Sequence, residues 1–177
     1  MCSLKSEIAQ QRPFSGPAEE ALLNLSRTSD CLQRAMQRST RQWNITATQY
    51  NVLRILRGAH PRGLSCSVIG DRMITADPDI TRLLSRLKAL KFIRQERDKK
   101  DRRVLLTFIS AAGLALLSEM DETVSQFPTQ MLGHLGEADL RALIALLERA
   151  RLHCDDRTHP TCDGTSASVT CDGKSKP

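Results

Sequence analysis

The side chains best suited to chemistry in this chain are basic ones, gathered in residues 82–103. Ten residues of this segment are Lys or Arg and three are Asp or Glu, which gives it a formal charge of +7. The whole chain of 177 residues carries +6, so the remainder is close to neutral. Clustered Lys and Arg attract polyanions because each can pair with a phosphate. The segment is therefore predicted to bind an anionic partner such as nucleic acid.

Composition narrows the class of protein and the kind of partner. Aromatic residues make up 3% of the chain, too few for a platform on which unpaired bases stack, so duplex DNA is favoured over single strands. The length suits one domain, or a small domain within a larger one. The sequence has no Gly-rich phosphate loop, nucleophile motif or HExxH motif, so neither catalysis nor a cofactor is expected.

The apolar runs and the cysteines indicate the cellular compartment of the protein. No apolar run approaches the roughly 20 residues of a membrane span, and the first residues lack the apolar stretch of a signal peptide. The six cysteines form no CxxC pair, which is typical of free thiols in a reducing compartment. We expect a cytoplasmic protein without membrane association.

A helix is predicted to carry the first part of the basic segment. Asp77 can accept hydrogen bonds from free amides at a helix start, and Pro78 is tolerated in the first turn. From there the apolar side chains recur at helical spacing, which predicts that they pack inward: Ile80, Leu83, Leu84, Leu87 and Leu90. Arg82 and Arg86 then lie on the opposite, outer face.

A β-hairpin is predicted to carry the second part. Residues 92–97 and 104–109 are rich in β-forming side chains and flank a charged connector at 98–102. The connector is too long for a two-residue turn, so we expect it to project as a loop.

The remaining elements are predicted to be helices. An apolar stripe runs through 18–43, Thr46 can cap a second helix, Ser65 or Ser67 a third over 68–74, and Ser110 a fifth. A sixth helix follows around 140–150. The fold class predicted is mainly α with a small antiparallel β-hairpin.

The order of the elements suggests how the chain is divided. The central 46–109 segment, a winged helix-turn-helix, is marginal as an independent core. The flanking helical parts, 18–45 and 110–153, carry apolar stripes that suit a two-fold homodimer interface, or alternatively an intramolecular helical cap. Residues 1–17 are expected to form an arm, and the polar segment 154–177 a disordered tail.

Four stretches of the sequence are similar to a known family. TQYNVL at 48–53, PDITRLLSRL at 78–87, DRRVLL at 101–106 and SAAG at 110–113 resemble the MarR family of bacterial transcriptional regulators. The most specific part is the Asp-x-Arg pattern of Asp101 and Arg103. The resemblance implies an obligate dimer that represses promoters and is released by a small, often aromatic, ligand or by thiol oxidation.

Roles for the basic segment follow from the resemblance and from groove chemistry. The helix is expected to face the major groove through its outer side chains: Asp79, Thr81, Arg82, Ser85 and Arg86. The wing is expected to flank the minor groove and the phosphates through Lys99, Lys100, Arg102 and Arg103, with Arg103 inserted and Asp101 orienting its guanidinium. The alternatives are a solvated helix face and a hairpin turn that is charged only for solubility. A dimer places two such helices in successive major grooves, so the operator is predicted to be a pseudo-palindrome.

Four further residues could sense a signal that regulates DNA binding. Trp43 and Tyr50 could border a ligand crevice, although an aromatic residue at a helix end also suits a core. Cys31 and Cys66 could be redox switches, or small hydrophobic residues of the interior.

Two further hypotheses compete with this interpretation. His153, Cys154, His159, Cys162 and Cys171 could hold zinc, but their spacing matches no compact zinc finger, so no metal site is predicted. A helical protein-interaction module could instead use the basic face to bind an acidic partner. A gel-shift experiment separates this module from a DNA-binding regulator, because the module would show no preference for a DNA sequence.

Overall fold

The computed structural model describes residues 3–75 and 79–152 of the chain. Its α-helices are α1 (Leu4–Glu7), α2 (Pro17–Thr40), α3 (Ala47–Ala59), α4 (Cys66–Arg72), α5 (Ile80–Ala89), α6 (Ala111–Leu132) and α7 (Gly136–Arg151). Its strands are β1 (Leu64–Ser65), β2 (Ile93–Arg97) and β3 (Leu105–Ile109), and 3₁₀ turns follow α2 at Arg41–Trp43 and α6 at Gly133–Leu135. The predicted fold class is confirmed.

The chain divides into two compact units, Met1–His134 and Leu135–Pro177. The first holds every element from α1 to α6, and α7 belongs to the second. The sequence analysis divides the chain at other points, into an arm, a dimerisation region, a DNA-binding domain and a tail. That division stays a prediction. The arm segment contains the short helix α1, in which Leu4 is buried.

The core of the first unit forms where α3, α5 and α6 meet the sheet. Apolar side chains spaced three or four residues apart bury one face of each helix: Val52, Leu53 and Leu56 of α3, Leu83, Leu84 and Leu87 of α5, and Leu116, Leu117 and Met120 of α6. Ile69 of α4, together with Ile93 and Ile109 of the sheet, completes the cluster. This core fixes α5 and the β2–β3 hairpin in one rigid body.

The sheet has three strands in the order β1-β3-β2, all antiparallel. The predicted hairpin is present, with Ile93 opposite Ile109 and Arg97 opposite Leu105. β1 adds Leu64 and Ser65 beside Thr107 and Leu106 of β3. Two residues are too few to show a strand periodicity, so the sequence does not predict β1.

Most helix starts follow the predicted caps. Thr46 and Gln49 form a capping box in which the Thr46 side chain accepts from the Gln49 amide and the Gln49 side chain accepts from the Thr46 amide. Ser65 caps α4 and Ser110 caps α6.

The start and the end of α5 differ from the prediction. Its N-cap is Asp79, whereas the predicted Asp77 and Pro78 lie outside the described residues. Leu90, expected to pack inward, follows the last helical residue and is 43% exposed. The helix ends one residue before Leu90, so the inward face does not extend to it.

The helices that were expected to form the dimer interface expose apolar side chains. On α2, Leu22 is 64% and Leu25 is 44% exposed. On α7, Ile144 and Leu146 are also exposed. No helix in residues 3–75 and 79–152 is long and apolar enough to span a bilayer.

Candidate nucleic-acid interface

The outward face of α5 presents polar and basic side chains. Thr81, Arg82, Ser85 and Arg86 are all exposed, and the leucines on the opposite side of the helix are buried. The Oδ1 atom of Asp79 accepts a hydrogen bond from the Arg82 amide at 3.1 Å, so this carboxylate holds the start of the helix. The Ser85 hydroxyl donates to the Thr81 carbonyl oxygen at 2.9 Å. The two arginines are the long side chains that reach outward from this face.

The loop between β2 and β3, residues 98–104, is the wing, and its own side chains order its backbone. The amide of Lys100 donates to Asp98 Oδ1 at 2.7 Å, and the amide of Arg103 donates to Asp101 Oδ1 at 2.9 Å. Short polar side chains commonly stabilise turns in this way. At the base of the wing, the Asp98 amide donates to the Val104 carbonyl oxygen at 2.9 Å.

This turn leaves the basic side chains of the wing exposed, namely Lys99, Lys100, Arg102 and Arg103. Asp101, also exposed, makes its hydrogen bond with the backbone of Arg103. Orientation of the Arg103 guanidinium by Asp101 stays a prediction. The wing is thus a fixed projection that carries four cationic side chains within five positions.

Two arginines of the basic segment contact other groups of the hairpin. The Arg94 guanidinium stacks over the Phe108 ring, 4.2 Å from its centroid, and pairs with Glu96. Arg97 Nη1 donates to the Arg102 carbonyl oxygen at 2.7 Å. Both residues are exposed, and both also hold the hairpin together.

A junction between α5, β2 and the start of α6 sets the position of both surfaces. The Ser110 hydroxyl donates to the Lys91 carbonyl oxygen at 2.7 Å, and the Ser110 amide donates to the Phe92 carbonyl oxygen at 3.0 Å. Lys91 adopts a left-handed conformation with φ of 62°, which turns the chain from α5 into β2. The sequence predicts Ser110 as a helix cap, but it carries no signal for the hydrogen bonds that Ser110 donates to Lys91 and Phe92.

The residues predicted to sense a ligand belong to the core. Trp43 is partly buried against the cluster, and Tyr50 is 6% exposed within it. Burial raises the pKa of the Tyr50 phenol, and the nearby Arg54 and Arg57 partly oppose this shift. The Arg54 guanidinium lies 5.9 Å from the Tyr50 ring centroid. The role of Trp43 and Tyr50 in a ligand crevice stays a prediction.

The two described cysteines lie on different helices. Cys31 is exposed on α2, and Cys66, at the start of α4, is partly buried against the core. Their redox role stays a prediction. His153, Cys154, His159, Cys162 and Cys171 lie outside the described residues.

The arrangement of α3, α4 and α5 with a three-stranded antiparallel sheet defines a winged helix-turn-helix protein, in which α5 has the position of the recognition helix and the β2–β3 loop that of the wing. The MarR family model matches residues 43–104, from the 3₁₀ turn after α2 to the end of the wing.

Similar proteins support the same assignment. A MarR transcription factor from Planctomyces limnophilus is 39% identical, with a TM-score of 0.59 over 77% of this chain and 99% of that one. BpsR from Bordetella bronchiseptica is 25% identical, with a TM-score of 0.69 over 78% of this chain and 97% of that one. The HTH-type transcriptional regulator TtmR of Methylorubrum extorquens is 36% identical over 77 residues, which are 44% of this chain and 38% of TtmR. The chain belongs to the MarR family of transcription regulators, which are not enzymes.

Proposed function

We propose that this protein is a MarR-type repressor that binds a pseudo-palindromic duplex DNA operator as a homodimer. The observation that carries the proposal is the pairing of two exposed basic surfaces, α5 and the wing, on one rigid core. A major groove admits an α-helix, and its guanines offer two acceptors to an arginine such as Arg82 or Arg86. Asp79, Thr81 and Ser85 border the same face.

The wing is proposed to extend the contact to the adjacent minor groove. Narrow minor grooves concentrate negative potential and attract arginine, and Arg103 is the proposed inserting residue. Lys99, Lys100 and Arg102 would neutralise phosphates on either side. Since Asp98 and Asp101 already order the loop backbone, little backbone entropy remains to be lost when DNA binds.

Dimerisation is proposed from the apolar side chains that remain exposed on α2 and on α7. A symmetric pair presents two recognition helices about 34 to 36 Å apart, one turn of B-DNA. This spacing matches an operator with two half-sites.

Release of the operator is proposed to follow binding of a small aromatic effector or oxidation of a thiol. The BpsR structure concerns regulation of that protein's DNA binding by 6-hydroxynicotinic acid. In this chain the proposed sensing residues are Trp43 and Tyr50 for a ligand, and Cys31 and Cys66 for an oxidant.

Replacement of Arg103 tests the proposal. The Arg103→Ala variant should bind duplex DNA from upstream of the protein's own gene more than tenfold more weakly than the wild type. Its melting temperature should not change, because the side chain is exposed and the turn hydrogen bond uses the backbone amide. Fluorescence anisotropy with labelled DNA measures the affinity, and calorimetry measures the melting temperature.

Arg62→Ala serves as the matched control, because it removes an exposed arginine between α3 and β1, outside α5, the wing and the proposed dimer interface. It should bind DNA like the wild type. Unaltered affinity in Arg103→Ala would refute the role of the wing. Equal affinity for upstream and scrambled DNA would instead favour the protein-interaction module.

A further inference from the structure

A cavity of about 540 Å³ lies where the chain passes from α2 through the 3₁₀ turn to α3. Its volume is within the range of small-molecule sites, roughly 300 to 1,000 Å³. The lining residues are Arg34, Gln37, Arg38, Arg41, Asn44, Ile45 and Thr46. None of the lining residues belongs to α5 or to the wing.

Arg34 and Arg38 share one face of α2 because they are four residues apart, and Arg41 begins the 3₁₀ turn that follows the helix. Arg34 is paired with Asp30, with its Nη2 atom 2.5 Å from Oδ2. Arg38 and Arg41 are exposed and form no ion pair with any described carboxylate. No acidic residue lines the cavity. It therefore has an excess of positive charge.

The turn between α2 and α3 places the N-terminus of α3 beside the cavity, and this helix end is a second source of positive potential. Asn44 adopts a left-handed conformation with φ of 53°, and α3 then begins at Ala47 with Thr46 as its N-cap. The first amides of a helix have no partner within the helix, and its N-terminus carries a partial positive charge. The Thr46 hydroxyl oxygen already accepts a hydrogen bond from the Gln49 amide. An anion in the cavity would lie beside both the guanidinium groups and this helix end.

The lining also indicates the polarity of the ligand. Ile45 is the one apolar residue among the lining residues, and it is itself 5% exposed. Carboxylates and phosphates match the guanidinium groups of the lining in geometry and charge.

We propose that this cavity binds a small polyanion, either a di- or tricarboxylate or a phosphorylated metabolite. The site is separate from the proposed DNA interface and from Trp43 and Tyr50, neither of which lines it. Its occupancy would place a negatively charged ligand at the junction between α2 and the DNA-binding part of the chain.

Calorimetric titration of the full chain with citrate and with pyrophosphate, at constant ionic strength, tests the site. Wild-type protein should bind at least one of them with one site per chain. The double variant Arg38→Gln/Arg41→Gln should lose at least about tenfold in affinity, because charge-assisted hydrogen bonds are lost. Arg27→Gln, on the same helix and outside the cavity, should bind like the wild type.

A second variant excludes adventitious binding of the anion to the basic wing. Lys99→Gln/Lys100→Gln removes two wing charges and should leave the affinity unchanged. The single tryptophan of the chain, Trp43, ends the 3₁₀ turn that begins with the lining residue Arg41, so its fluorescence reports on binding without DNA.

Preference for citrate or for pyrophosphate identifies the ligand class, and either result supports the site. Absence of binding to both, equal affinity in the Arg38/Arg41 variant, or loss of binding only in the wing variant would each overturn it. Since DNA is not in the assay, these outcomes are independent of whether the protein binds an operator.

Discussion

Tyr50 is the single tyrosine of the chain and lies almost wholly inside the core of the first unit. Burial raises its pKa because the phenolate loses hydration. The folded protein therefore holds this proton more tightly than the unfolded chain does. The corresponding stability is complete below pH about 10 and is lost as the pH rises from there through the folded-state pKa.

We predict that the free energy of unfolding falls more steeply above about pH 10 in the wild type than in Tyr50→Phe. The difference should grow by at most about 1.4 kcal/mol per pH unit, the value for one proton. Urea unfolding at several alkaline pH values measures it, and phenolate absorbance follows the titration of this one residue. Parallel pH curves for the two proteins would show that Tyr50 ionises as easily in the folded state as in the unfolded chain.

The arginines show what a residue count can and cannot establish about the site. The excess of basic residues in 82–103 falls on the α5 face and on the wing, both of which expose basic side chains. Arg94 and Arg97 contribute to the same excess but support the hairpin, through the Phe108 ring and the Arg102 carbonyl. Which arginine packs against the hairpin depends on strand register and on a neighbouring ring, neither of which the sequence shows.

At the scale of elements, Gly113 links α6 to the turn that follows α5. A Cβ atom at this position would overlap the Phe92 carbonyl oxygen and lie 2.9 Å from Ile109 Cγ1. That carbonyl also accepts the Ser110 amide, so it cannot move without loss of a hydrogen bond. Residue 113 must therefore be glycine for α6 to begin this close to Phe92 and Ile109, at the ends of the hairpin that carries the wing.

We predict that Gly113→Ala destabilises the protein by about 2 kcal/mol or more, because the backbone and Ile109 must shift. Gly58→Ala is the matched control. Gly58 lies in α3, and a methyl group at this position would enter open space, so alanine should stabilise the helix by about 0.5 to 1 kcal/mol. Chemical denaturation measures both changes. A Gly113→Ala variant as stable as the wild type would argue against the close approach.

Elements with a chemical signal at their ends could be predicted from the sequence. Thr46 and Ser110 cap helices as expected, since their hydroxyls follow directly from residue type and position. The left-handed turn at Asn44 and the pairing of Leu64 with Thr107 depend on contacts made after folding. For the same reason the sequence does not predict the arginine-lined cavity, which requires that turn, although it shows the spacing of Arg34 and Arg38.

At the scale of the whole molecule, the exposed leucines of α2 remain unexplained by the first unit alone. Leu22 and Leu25 lie three residues apart on one face of a 24-residue helix. Large exposed apolar side chains in such an arrangement are typical of an interface, and a two-fold pair would bury the same face of both copies. The proposed operator spacing depends on this pairing, because a monomer carries one recognition helix.

We predict that Leu22→Glu/Leu25→Glu raises the dimer dissociation constant about thirtyfold or more, since two carboxylates would be buried without partners. Asn24→Glu is the control, because it adds a charge to the same helix at a polar position. Sedimentation equilibrium measures the association, and circular dichroism should show full helix content in both variants, as all three side chains are exposed. If the leucine variant stays dimeric, α2 does not form the interface. If it becomes a folded monomer, its affinity for the full operator should approach its affinity for a half-site, because the second recognition helix no longer binds in the same event.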